Sequence, residues 1–144
     1  MAVTAKQFAK LHSQLSLKQA YTSNTAKCAL FTATCSPSQS ADTLFTAAPY
    51  TSNQVAAANG YATGGVALAS LSLATAALVT TFDSADPSWT VTGAGFTWRY
   101  AVIYDTTSGV VISYIDMGAD QVWTTPGTYG LTLDAAGIAR ITVS

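Results

Sequence analysis

Two carboxylate pairs, Asp83/Asp86 and Asp116/Asp120, are the closest this sequence comes to catalytic machinery. Paired acids hydrolyse glycosidic bonds when they flank a cleft at a defined separation. Asp83 and Asp86, however, bracket a turn that runs into Pro87, where aspartate is expected to cap backbone amides. A calcium ion needs more oxygen ligands than either pair offers. The single histidine, His12, falls beside an apolar stripe near the N-terminus and reads as a packing residue, since a general base must sit beside its partners. The chain has no glutamate, so an H-E-x-x-H zinc site is ruled out. It also lacks a G-x-S-x-G elbow. Gly60 to Gly65 has glycines without the lysine of a phosphate loop, and Gly93-Ala94-Gly95 leads into a strand pattern rather than a helix. No enzymatic activity, cofactor or metal is expected.

Cys28 and Cys35 are the only thiols. A disulfide between them would close a short loop, and nothing requires it. They read as small buried apolar groups of a protein from a reducing compartment. Aromatic residues are more plentiful: Trp89, Trp98, Tyr100, Tyr104, Tyr114, Trp123 and Tyr129. With basic neighbours, such rings bind sugars or single-stranded nucleic acid. Here the basic neighbours are only Arg99 and Arg140. Strand alternation puts Trp98, Tyr100 and Tyr104 on one face and Arg99 on the other. Core and inter-subunit packing is the expected role of the rings, with Trp89 and Trp123 as candidate contact residues.

Charge is scarce. Charged residues make up 9% of the chain, against about 25% in an average globular protein. Free surfaces usually carry more, so much of this surface is expected to be covered by other subunits. The net charge of −1 gives no strong field for nucleic acid or anionic lipid. The distribution is uneven. Lys6, Lys10, Lys18 and Lys27 precede residue 28 with no acid among them, whereas the remainder holds two arginines and seven aspartates. A basic arm on an acidic body can dock on another copy or on another acidic surface.

The elements that must position these groups are mostly strands. The many Thr, Val, Ile and Tyr residues and the absence of glutamate favour β structure. Thr4 and Gln7 make a capping box, and Phe8, Leu11 and Leu15 recur at helical spacing, which predicts a short helix over 5–19. The first strand is expected over 26–34, a helical turn over 42–48 stopped by Pro49, and a strand over 61–68 after the Asn59-Gly60 turn. Residues 35–60 form a long connection, of the kind that often carries contacts. Gly64 to Phe82 is uncharged and near the length of a spanning helix. Its Ser and Thr content and bare flanks argue against a membrane span. Residues 66–82 fit either helix or strand, and strands are favoured by their surroundings. Beyond residue 88, strands over 96–104, 110–117 and 138–143 are separated by turns at 105–109 and 134–137. About eight short strands imply an all-β, two-sheet antiparallel sandwich of jelly-roll type over 21–144, with residues 1–20 as an N-terminal arm or short helix.

Four segments carry a family resemblance. They are Asn59-Gly60-Tyr61-Ala62-Thr63-Gly64-Gly65, the run from Phe96 through Arg99-Tyr100-Ala101-Val102-Ile103-Tyr104-Asp105, the run from Ile112 to Gly118, and Leu131 to Ile138. As N-G-Y-x-x-G-G, R-Y-A-V-x-Y-[ND], Y-x-D-[FM]-G and D-x-x-G-[IL], they resemble a widespread family of small phage virion structural proteins. The resemblance covers roughly residues 55–144, and its motifs are glycine turns and strand patterns rather than catalytic signatures. The chain departs from the family in a longer, Ser/Ala-rich 35–58 loop and in the lysines of its first 20 residues. The resemblance implies a virion protein assembled in the host cytoplasm. It would be a cement or decoration protein that clamps junctions between subunits of the major capsid protein; a dimer or trimer is the symmetry expected at lattice junctions. No membrane and no specific nucleic acid are expected as partners. The arm, through Lys6, Phe8, Lys10, Leu11, Leu15 and Lys18, is the expected docking element. A tail, fibre or neck component is the second reading, and a carbohydrate-binding module using Trp89, Trp98 or Trp123 the third.

Overall fold

The computed structural model describes residues 6–7 and 23–142, and their regular structure is β. Ten strands follow in chain order: β1 (Lys6–Gln7), β2 (Ala26–Phe31), β3 (Val66–Ala67), β4 (Ser72–Ala76), β5 (Val79–Asp83), β6 (Ser88–Val91), β7 (Phe96–Asp105), β8 (Val111–Trp123), β9 (Gly127–Gly130) and β10 (Ala139–Thr142). All pairings are antiparallel. One five-stranded sheet has the order β1-β8-β7-β2-β3, a second sheet the order β10-β5-β4, and β6 pairs with β9.

Strand β2, the second half of β7 and the first half of β8 are apolar at successive residues because both of their faces are covered. On one face Cys28, Leu30, Ala101, Ile103, Ile112 and Ile115 meet Phe82 of β5 and Leu131, Leu133 and Ile138 of the segment between β9 and β10. This is the sandwich core. On the other face Ala29, Phe31, Val102, Tyr104, Val111 and Tyr114 lie under Cys35, Phe45 and Tyr50 of the long connection after β2. That connection is tied down rather than loose. Leu44 bridges to Val110, Phe45 N–H donates to the Gly109 carbonyl at 2.8 Å, and the Phe45 ring stacks on Tyr104 at 3.6 Å.

The Asn59-Gly60 turn has both residues at positive φ, and it seats the next residue in the core. The Tyr61 hydroxyl accepts from Leu30 N–H at 3.0 Å, which joins the turn to β2. Gly65 (φ +73°) lies so close to β2 that a Cβ there would meet the Cys28 carbonyl oxygen at 1.9 Å. The N-G-Y-x-x-G-G pattern is thus a packing device.

Several expectations need correction. Of the helix predicted over 5–19, Lys6–Gln7 are strand, paired to Tyr114 and Ser113 of β8; the other residues of that segment lie outside the described residues. No helical turn forms over 42–48, because Leu44 and Phe45 are held against the 109–110 turn instead. The strand expected over 61–68 shortens to β3, since the 63–65 segment turns to pass β2. Residues 72–83 are the β4–β5 hairpin, as the favoured reading had it. Strand alternation fails between Trp98 and Tyr100. Trp98 pairs with Gln121 and Tyr100 with Asp116, so residues 117–120 of β8 bulge opposite Arg99 alone. The bulge reverses the alternation. Trp98 therefore enters the sandwich core, while Tyr100 and Tyr104 pack on the opposite face.

Candidate functional site

The acids that came nearest to catalytic spacing hold turns. Asp83 accepts from Ser84 N–H at 2.9 Å, and Asp86 accepts from Leu133 N–H at 2.9 Å, pinning the segment after β9 to the turn before β6. Asp116 accepts from Gly118 N–H at 2.8 Å and pairs with Arg99 Nε at 3.1 Å across the bulge. Arg99 also lies over the Tyr100 ring, 5.3 Å from its centroid. The guanidinium is held above its ordinary pKa, mainly by the bond to Asp116. Asp134 accepts from Ala136 N–H at 2.8 Å, and Asp42 accepts from Ser38 N–H and the Tyr50 hydroxyl, each at 2.7 Å. The bonds from Ser84, Gly118, Ala136 and Ser38 N–H are the local ones that aspartate makes in turns, and the others tie separate segments together. Among the described residues no three His, Cys, Asp or Glu side chains converge on a metal position.

Among the described residues Asp105 is the one fully buried acid. It ends β7 and accepts from Ser108 N–H (2.8 Å), Ser108 Oγ (2.6 Å), Thr107 N–H (3.3 Å) and the Thr25 hydroxyl. Burial pushes its carboxyl up, but the bonds from Ser108, Thr25 and Thr107 outweigh that and hold it below the ordinary value. It closes the β7–β8 hairpin and locks β2 onto it.

The aromatic candidates separate. Trp89 and Trp98 are buried in the sandwich core. Trp123 is half-buried, with Tyr129 stacked on it at 5.0 Å and Trp98, Phe96 and Trp89 packed round it at 5.1, 5.6 and 5.8 Å. The rings form one cluster joining β6, β7, β8 and β9, as packing requires. A sugar platform needs an open ring face. Trp89 has none, and Trp123 is hemmed in by its neighbours. Cys28 and Cys35 are free thiols on opposite faces of the central sheet. Burial pushes both up to about 12, and the nearby Asp42 charge adds to the shift at Cys35.

Of the arm residues singled out in the sequence, Lys6 is placed by its backbone, opposite Tyr114 on the β8 edge. Phe8, Lys10, Leu11, Leu15 and Lys18 lie outside the described residues. Two features of the surface escaped sequence reasoning. One is strand β4, exposed along nearly its whole length and followed by Leu78, which is 62% exposed at the hairpin tip. The other is Val122, 59% exposed near the end of β8. The signal for the first was present in the uncharged run from Gly64 to Phe82, which invited only a membrane question. Among the described residues no helix is long and apolar enough to cross a membrane. No family model, no curated protein and no solved structure matches this chain.

Proposed function

We propose that this chain is a structural protein of a phage-type particle, a cement or decoration subunit that seats on junctions between major capsid subunits. The observation that carries the reading is the sparsely charged exterior: 9% charged residues, with an exposed hairpin that has no charge between Gly64 and Phe82. Such a surface suits permanent cover by neighbouring subunits better than free solution. The four segments that resemble virion proteins are a second support, taken from the sequence. Each contact with the shell is modest, and many copies together resist the pressure of packaged DNA. The arm, beginning beside β8 at Lys6, is the docking element in this reading, with Phe8 and Leu11 as its apolar anchors.

Copy number in purified particles, measured by quantitative mass spectrometry against the major capsid protein, tests the reading. A simple ratio to the capsid protein, in hundreds of copies, is expected. A dozen copies or fewer would assign the chain to the tail or neck, and absence would refute the virion reading. Particles reconstituted with a Phe8→Asp, Leu11→Asp variant are expected to lose it; unchanged occupancy would refute docking through the arm.

A further inference from the structure

Natural sheet edges are protected from pairing with other chains by charge, proline, bulges or brevity. Most edges of this molecule follow that rule. Strand β10 carries Arg140, and β8 carries Asp116, Asp120 and the 117–120 bulge. Pro87 immediately precedes β6, Pro126 immediately precedes β9, and β3 has two residues. Strand β4 is the exception. It is the outer strand of the β10-β5-β4 sheet, and its sequence Ser72-Leu73-Ala74-Thr75-Ala76 has no charge and no proline. It pairs with β5 in unbroken register, and its other edge has no strand partner among the described residues.

We propose that β4 pairs antiparallel with β4 of a second copy of this chain. Its uncharged edge offers nothing to a charged partner but matches itself without like-charge conflict. A two-fold axis through Ala74 sets Ala74 against Ala74, Leu73 against Thr75, and Ser72 against Ala76. All but Leu73 are small, so the backbones meet without crowding. The exposed Leu78 lies in the turn that closes the β4–β5 hairpin, just beyond this register. The two three-stranded sheets become one six-stranded sheet, and the interface is isologous and closed. This pairing does not depend on the virion reading.

The test uses the full chain. The wild type is expected to run as a dimer in size-exclusion chromatography with light scattering, and Ala74→Lys as a monomer with an unchanged far-ultraviolet β spectrum. Under mild oxidation, Ala74→Cys is expected to give a covalent dimer on a non-reducing gel, well above a Thr46→Cys collision control on the exposed loop. A monomeric wild type at its highest soluble concentration would overturn the proposal. A dimer that survives Ala74→Lys and leaves Cys at position 74 uncrosslinked would also overturn it, because the interface would lie elsewhere.

Discussion

Replacing Asp105 by asparagine keeps the side chain's shape and removes its charge. Four donors point at this carboxylate, from Thr25, Thr107 and Ser108. The amide presents one oxygen and two N–H groups to them, so at least one donor is left facing another donor in a buried site. A hydrogen bond to a charged group contributes about 1.5–3 kcal/mol net, and an unsatisfied buried donor costs about 1–3 kcal/mol. The relief of desolvation on losing the charge offsets part of this. A loss of about 3 kcal/mol is expected near neutral pH. In a domain of this size that lowers Tm by about 6–12 °C, at about 2–4 °C per kcal/mol. Urea unfolding followed by the fluorescence of the buried Trp89 and Trp98 reads it directly. The pH dependence provides a second check. Because hydrogen bonding holds the folded carboxyl below its unfolded value of about 3.9, its stabilisation is complete above that value. It is lost as pH falls through the lower, folded value. The gap between wild type and Asp105→Asn is therefore constant from neutral pH down to about 5 and narrows below about 4. A variant within about 0.5 kcal/mol of wild type near neutral pH, or a gap that does not narrow in acid, would refute the assigned role of this carboxylate.

Gly65→Ala is expected to cost at least about 3 kcal/mol, because the new Cβ meets the Cys28 carbonyl oxygen at 1.9 Å. Gly109→Ala, at a similar φ of +72° in open space, carries only the conformational cost of about 1–2 kcal/mol, and paired denaturation curves compare the two. Both thiols are buried and pushed up to about 12, so native protein at mildly alkaline pH is expected to resist Ellman's reagent and to release two equivalents in urea; a fast native equivalent would contradict this. Phe45→Ala removes the stack on Tyr104 and is expected to cost about 2 kcal/mol. Limited proteolysis of that variant is expected to cut within 36–48 first, with the sandwich intact; cleavage elsewhere would show that Phe45 does not hold the connection.

What was legible in the sequence was whatever local chemistry decides. The β7–β8 hairpin announced itself through β-branched and aromatic runs on either side of Asp105-Thr106-Thr107-Ser108-Gly109; β7, the turn and the start of β8 are where they were expected, while β8 runs past the expected end at 117 to Trp123. The aspartates were readable as turn caps for the same reason. Residues 66–82 were ambiguous because Ala and Leu satisfy both periods; the hairpin forms with Ala77 in its turn at φ 51°. The Phe45 contacts were not readable, since they bring the 35–50 loop against Tyr104, far along the chain. Nor was the bulge opposite Arg99. Gly118, at φ 75°, marks an irregularity in Met117-Gly118-Ala119-Asp120, but a glycine alone does not tell that four residues face a single partner, and that mismatch decides which face receives Trp98. Of the candidate contact residues, the sequence picked out the rings and the arm but not the uncharged strand edge, because edges exist only after strand order is known.

The two-sided burial of the central sheet constrains where this protein can touch anything. Strand β2, the second half of β7 and the first half of β8 have one face in the sandwich core and the other under the 32–54 connection. Most of their motif residues, Thr97 and Arg99 aside, are therefore already occupied within the fold, and substituting them tests folding rather than partnership. Contact with another chain is left to exposed pieces, among them the β4–β5 hairpin, the end of β8 past the bulge, the outer side of the 32–54 connection, and the arm that joins β8 at Lys6. These differ in kind. The arm brings lysines to a body rich in aspartate, an attraction that salt weakens. The β4 edge is uncharged and bonds through its backbone, so salt leaves it almost unaffected. Salt titration of any assembly this chain forms thus separates the two surfaces: contacts made by the arm dissolve as ionic strength rises, and contacts made by β4 persist.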